Sequence, residues 1–123
     1  MTVVASIYYA KNTDPRTSSL HHKLYFEQMR RDEETGVFSM PKKFFEENYE
    51  YISRYELQSK EDMPSLFSIY NQDHLNPLST PEGQARIRSS GVRHTSMSVG
   101  DIVKIDGKYF IVAPIGWREV AFT

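Results

Sequence analysis

The sequence predicts an α+β domain, a mainly antiparallel sheet of about five strands with two or three helices packed on one face. Three observations carry this. Residues Tyr49 to Leu57 alternate with period two, Asp106-Gly107 separates two apolar stretches as a hairpin turn does, and stretches of helical spacing opened by proline or capping residues lie between the strand-like ones. A chain of 123 residues has the length of one domain, so 1–123 reads as a single unit.

Each element has a local cause. Val3 to Ala10 is β-branched and aromatic, and the turn formers Lys11-Asn12-Thr13-Asp14-Pro15 stop it as a first strand. Leu20, Leu24 and Met29, widened by Tyr25 and Phe26, share one helical face, so a helix is expected from about Leu20 to Glu34, with Ser18 or Ser19 capping it and Gly36 closing it. Met40-Pro41 opens a short second helix over Lys42 to Asn48, with Pro41 where a missing N–H costs nothing. In the strand Tyr49 to Leu57, Tyr49, Tyr51, Ser53, Tyr55 and Leu57 fall on one side and the charged residues on the other, which asks for a sheet covered on one side only. Asp62-Met63-Pro64 starts a helix that ends near Asn71, with Leu66, Phe67, Ile69 and Tyr70 on its buried face.

Residues 72–98 form a long polar stretch, broken by a helix from Pro81 to about Arg88 that Thr80 enters, that a Glu82–Arg86 pair supports and that Ser89-Ser90-Gly91 ends. Val99 to Val112 is a hairpin turning at Asp106-Gly107, with Val103, Ile105, Phe110 and Val112 toward the core. A last strand is expected within Ile115 to Phe122, around the single tryptophan, Trp117.

Composition narrows the function classes. Fifteen basic against sixteen acidic residues leave a net charge of −1, without the field of a histone-like or membrane-coating protein. Charge is uneven: Asp32 to Asp62 holds nine acids and four bases, whereas Gly83 to Thr123 holds six bases and three acids. The absence of cysteine excludes disulfides, thiolate catalysis and Cys-ligated metal, and fits a cytoplasmic protein. The apolar N-terminal stretch has no basic flank and is interrupted at Lys11, far short of a membrane span, so no membrane association is expected.

No motif specifies a reaction. His21-His22 are adjacent and diverge on a helix, and His74 and His94 lack companion ligands at metal-binding spacing, so no metal is expected. His94-Thr95-Ser96 has the residue types of a nucleophile and base without a spacing that fixes their geometry, and Glu33-Glu34 and Glu46-Glu47 read as solvated helix surface. Neither a phosphate loop nor a dinucleotide turn occurs, and no cofactor is expected. The most suggestive patch is Arg86, Arg88, Arg93 and His94 among Ser89, Ser90, Thr95, Ser96 and Ser98, groups that suit phosphate or carboxylate, with Tyr70 or Trp117 as a ring for stacking on a base.

Tyr70-Asn71, the run His94-Thr95-Ser96-Met97-Ser98-Val99-Gly100-Asp101-Ile102-Val103, then Tyr109 and Gly116-Trp117-Arg118-Glu119-Val120 together resemble the YodL-like domains of bacterial mobile elements and phages. The resemblance runs from about Tyr49 to Val120 and is strictest in the last thirty residues. Gly100 stands where that family commonly has serine, and 72–93 is longer than usual. The family has no established activity, so the resemblance implies provenance and fold and transfers no catalytic residue. Its signature also has a structural explanation: Ser96, Ser98 and Asp101 can bond backbone groups at a strand entry, and Gly100 allows a conformation other residues resist.

The reading that follows is a cytoplasmic, non-enzymatic accessory protein that binds a protein partner. Nucleic-acid binding through the arginine and serine loop is the first alternative, and a small enzyme or ligand-binding domain the second.

Overall fold

Eight residues of alternating burial, Val3–Ala10, form strand β1, paired antiparallel on one side with β3 (Tyr49–Leu57) and on the other with β4 (Ile102–Ile105). This computed structural model describes residues 2–11, 37–92, 94–113 and 116–123. The helix expected over Leu20 to Glu34, the pair His21-His22, the acids Glu33-Glu34 and the closing Gly36 lie outside the described residues.

The hairpin forms where expected. Ile105 pairs with Lys108 of β5 (Lys108–Val112), and Asp106 and Gly107 take φ values of 54° and 79°, the doubly positive signature of the turn whose twist suits a two-residue hairpin. Strand β6 (Trp117–Phe122) continues the antiparallel order. A sixth strand, β2 (Val37–Met40), pairs parallel with β6. The sheet is therefore mixed, in the order β2-β6-β5-β4-β1-β3, and α+β in class with three described α-helices. Strand β2 is an addition to the expected set, because four residues carry too little periodicity to announce a strand.

Helix α1 (Lys42–Asn48) follows Pro41 as expected, and α2 spans Ser65–Ile69 behind a 3-10 turn at Lys60–Asp62. The Ser59 hydroxyl caps that turn by accepting from the Glu61 N–H, while α2 follows Pro64 without a side-chain cap. Phe67, expected to be buried, is exposed, because so short a helix turns Leu66, Ile69 and the following Tyr70 to the core and Phe67 away from it. Helix α3 (Pro81–Ser90) begins with the Thr80 hydroxyl accepting the Gly83 N–H and ends at Gly91 in the left-handed region. Gly83 is required where it stands, since a Cβ there would run into the Leu78 backbone and come within 2.7 Å of the Pro77 carbonyl oxygen.

Two corrections concern the layers. Both faces of the sheet, not one, carry a packed cluster. Ala5, Ile7, Val103, Ile105 and Val112 pack beneath Leu66 of α2 and Ile87 of α3, whereas Phe38, Met40, Ile102, Ile111 and Val120 form a second cluster, against which Phe44 and Phe45 of α1 pack. The alternation of β3 also breaks once. Its register shifts between the partners of Ile7 and Tyr8, so that Ile52 becomes a bulge; Tyr51 then faces Tyr8 on the α1 side while Tyr55 and Leu57 face the other cluster.

Candidate functional site

The signature segment closes around one buried carboxyl group. Asp101, 1% exposed, enters β4 behind Gly100, whose φ of 98° turns the chain there. Asp101 Oδ1 accepts the N–H of Ala10 at 2.9 Å and Oδ2 accepts the N–H of Ser98 at 2.7 Å, so one side chain ties the end of β1 to the loop that leads into β4. The backbone completes the box: Asp101 N–H donates to Ser98 O, Gly100 N–H to Val112 O, and the Tyr49 hydroxyl to Gly100 O at 2.5 Å. Burial pushes the Asp101 pKa up to about 8, against the downward pull of the two N–H donors.

The loop above this box is held by side chains from elsewhere. Asn76 Nδ2 donates to Tyr70 O at 2.8 Å and to Thr95 O at 2.9 Å, and its Oδ1 accepts the Leu78 N–H. Asn71 Nδ2 reaches Met97 O, and the buried Tyr9 hydroxyl donates to Thr95 O. Burial lifts the Tyr9 phenol well above its usual range, with the Asp101 charge adding to the effect, so it stays a donor. His94 stacks on Tyr9 with ring centroids 4.8 Å apart. Its Nδ1 lies 2.8 Å from Ser96 O, an acceptor, which fixes the proton on Nδ1; Asp101 Oδ2 is 4.0 Å from the same nitrogen, beyond a hydrogen bond.

The signature residues thus meet in space, with one correction. Ser96 and Ser98 contribute through their backbone groups, while Asp101 alone supplies a side-chain acceptor. The reason is geometric: at these turns the peptide groups point inward, and the Ser98 side chain points to solvent.

The arginine patch does not converge. Arg86, expected to pair with Glu82, instead reaches across to β3, where its guanidinium donates to Tyr51 O and faces Glu50 Oε1 at 3.5 Å. Glu50 also receives Lys11 at 3.6 Å. Arg88 is exposed on the last turn of α3, His94 turns inward onto Tyr9, and Arg93 lies outside the described residues. Tyr70, offered as a stacking ring, is fully buried and bonds Ser53, its phenol pushed up to about 12 by burial. Among the described residues, no three His, Asp or Glu side chains gather where they would hold a metal ion, and no helix is long and apolar enough to cross a membrane.

A groove of about 510 Å³ lies beside α2 and the hairpin, floored by Met63, Ile105 and Phe110 and rimmed by Pro64 and five charged residues. Lys60 and Lys108 stand on that rim with Glu61, Asp106 and Glu119. Sequence reasoning missed it, because its residues come from three separated segments; Ile105 and Phe110 were legible only as core.

No family model and no solved structure matches the chain. Over 99 residues, 80% of this chain and 90% of the relative, the sequence is 34% identical to "Uncharacterized protein R785" of Acanthamoeba polyphaga mimivirus. Identity of that extent, spanning nearly the whole relative, is shared descent: the chain belongs to the same family as this mimivirus protein.

Proposed function

We propose that the chain is a small cytoplasmic accessory protein of viral, phage or mobile-element type, YodL-like over residues 49–120, that acts without catalysis by binding a protein partner. The groove between the 60–64 segment and the hairpin carries the reading. Its apolar floor accepts a side chain, and its rim of two bases and three acids pairs with a protein segment of mixed charge while offering a polyanion more repulsion than attraction. The partner is therefore a protein surface that presents one large apolar side chain flanked by charges of both signs. The viral relative supports the element-borne provenance. The box around Asp101 supports a non-catalytic role, since both carboxyl oxygens are engaged by backbone N–H groups. The arginine-loop alternative is weakened by the engagement of Arg86 with β3.

The test is an affinity purification from cell lysate with and without nuclease, at two salt concentrations, run beside a variant carrying Lys60→Glu and Lys108→Glu. Expected is one protein recovered at near-stoichiometric yield in every condition with the wild type and lost with the variant. Recovery that disappears with nuclease, or that survives the rim substitutions unchanged, overturns the reading.

A further inference from the structure

The face of the sheet opposite the groove has a different chemistry. Register places Arg54, Ser6, Lys104 and Tyr109 in one row across β3, β1, β4 and β5, and Tyr51 and Tyr8 in the next row. Tyr51 is 42% exposed, and its ring meets Tyr8 edge-on at 5.7 Å. Lys104 Nζ stands 5.5 Å from the Tyr109 ring centroid, while Arg54 is exposed and Ser6, between the two cations, leaves a low floor. Neither Arg54 nor Lys104 has a carboxylate within ion-pair distance among the described residues, whereas Lys11, Lys43 and Arg86 each do. Phe45 of α1 packs on Tyr8, Tyr49, Tyr109 and Phe122 and closes one end of the face, while farther along Arg54 and Tyr51 are exposed and Lys104 is half-buried.

We propose that this face binds single-stranded nucleic acid, with the exposed Tyr51, braced edge-on by Tyr8, as the stacking ring and Arg54 and Lys104 as contacts to the phosphates. Cations and rings in adjacent rows are what a strand with a charged backbone and flat bases requires, and two cations two strands apart, about 10 Å, follow a backbone laid across the sheet. Charge selects this occupant. Among the described residues, Glu56, beside Val4, is the one acid that register places near these rows, so their described side chains carry a cationic excess that the groove on the other side does not. The inference is independent of the protein-binding reading, since it uses the opposite side of the sheet.

Fluorescence anisotropy with a labelled single-stranded 12-mer of DNA and its RNA counterpart tests it, with a duplex of the same sequence and polyglutamate as competitors. Binding should weaken five-fold or more with Tyr51→Ala and be kept by Tyr51→Phe. Arg54→Gln with Lys104→Gln should weaken it at least ten-fold and lower the salt slope by about 1 to 1.5, at roughly 0.7 for each phosphate no longer neutralised. All these substitutions lie on the surface, and unchanged melting curves establish that the variants are folded. No binding, a Tyr51→Ala variant that binds like the wild type, or polyglutamate competing as well as the unlabelled 12-mer overturns the proposal, the last pointing to an acidic protein. A wild-type dimer in sedimentation that Tyr51→Ala renders monomeric also overturns it, since the face would then be an interface between copies.

Discussion

Replacing Asp101 by alanine removes the one side-chain acceptor that, among the described residues, joins β1 to the loop entering β4. At about pH 4, where the carboxyl is neutral in the fold, the buried Ala10 N–H loses its acceptor, which costs about 2 kcal/mol, and the Ser98 N–H, nearer the surface, costs about 1 kcal/mol. A total of about 3 kcal/mol at roughly 4 °C per kcal/mol for a chain of this length gives a melting temperature lower by about 12 °C. Ser98→Ala should change nothing measurable, because the exposed hydroxyl is not part of the box.

pH separates the carboxyl's ionisation from its packing. An acid whose pKa rises from 3.8 in the open chain to about 8 in the fold binds its proton more tightly when folded. Its contribution is therefore full below pH 4 and is lost as pH climbs toward 8, with a slope of up to about 1.4 kcal/mol per pH unit. Asp101→Asn keeps the size and one acceptor, and should flatten the slope between pH 5 and 8 while melting between the wild type and the alanine variant. Calorimetry or circular-dichroism melts at several pH values read both effects. An alanine variant melting within about 3 °C of the wild type, less than 1 kcal/mol, or an asparagine variant with the full wild-type slope, refutes the reasoning.

Other perturbations test the remaining framework. Gly83→Ala should destabilise the fold by about 2 kcal/mol or more in urea unfolding despite alanine's better helix propensity, because its Cβ meets the backbone of Pro77 and Leu78, which cannot yield as a side chain would. Leu66→Ala, at a fully buried position under the sheet, should cost about 2 to 5 kcal/mol in the same assay. Arg86→Ala, half-exposed and ion-paired with Glu50, should cost no more than about 1 kcal/mol and leave oligonucleotide anisotropy unchanged; a large loss of nucleic-acid binding would restore the arginine-loop alternative.

Much of the local structure was legible in the residues themselves. The span of β1, the limits of α1 and β3, the Thr80 cap and the Asp106-Gly107 turn follow from interactions within a few residues: β-branched runs, a proline before a helix, a hydroxyl reaching three residues on, and two residues that tolerate positive φ. The signature around Asp101 was legible as a cluster with structural meaning and with Asp101 as one of its bonding groups, though the sequence also assigned bonds to the two serine hydroxyls, because which way a peptide group points in a turn has no residue-type signal.

Tertiary structure alone decided what depends on distant partners. Four residues of β2 become a strand because β6, about eighty positions later, offers a parallel edge. The Ile52 bulge sends Tyr51 to one face and Tyr55 to the other, reversing a pattern that alternation had put on one side. Arg86 prefers Glu50 and Tyr51 to the neighbouring Glu82, and Asp101 reaches the N–H of Ala10, ninety-one residues earlier. Capping, turn chemistry and periodicity act between neighbours and are written in order along the chain, whereas strand pairing, the two faces of a sheet and the partner of a charge are fixed only when segments far apart in sequence are brought together by the burial of the core.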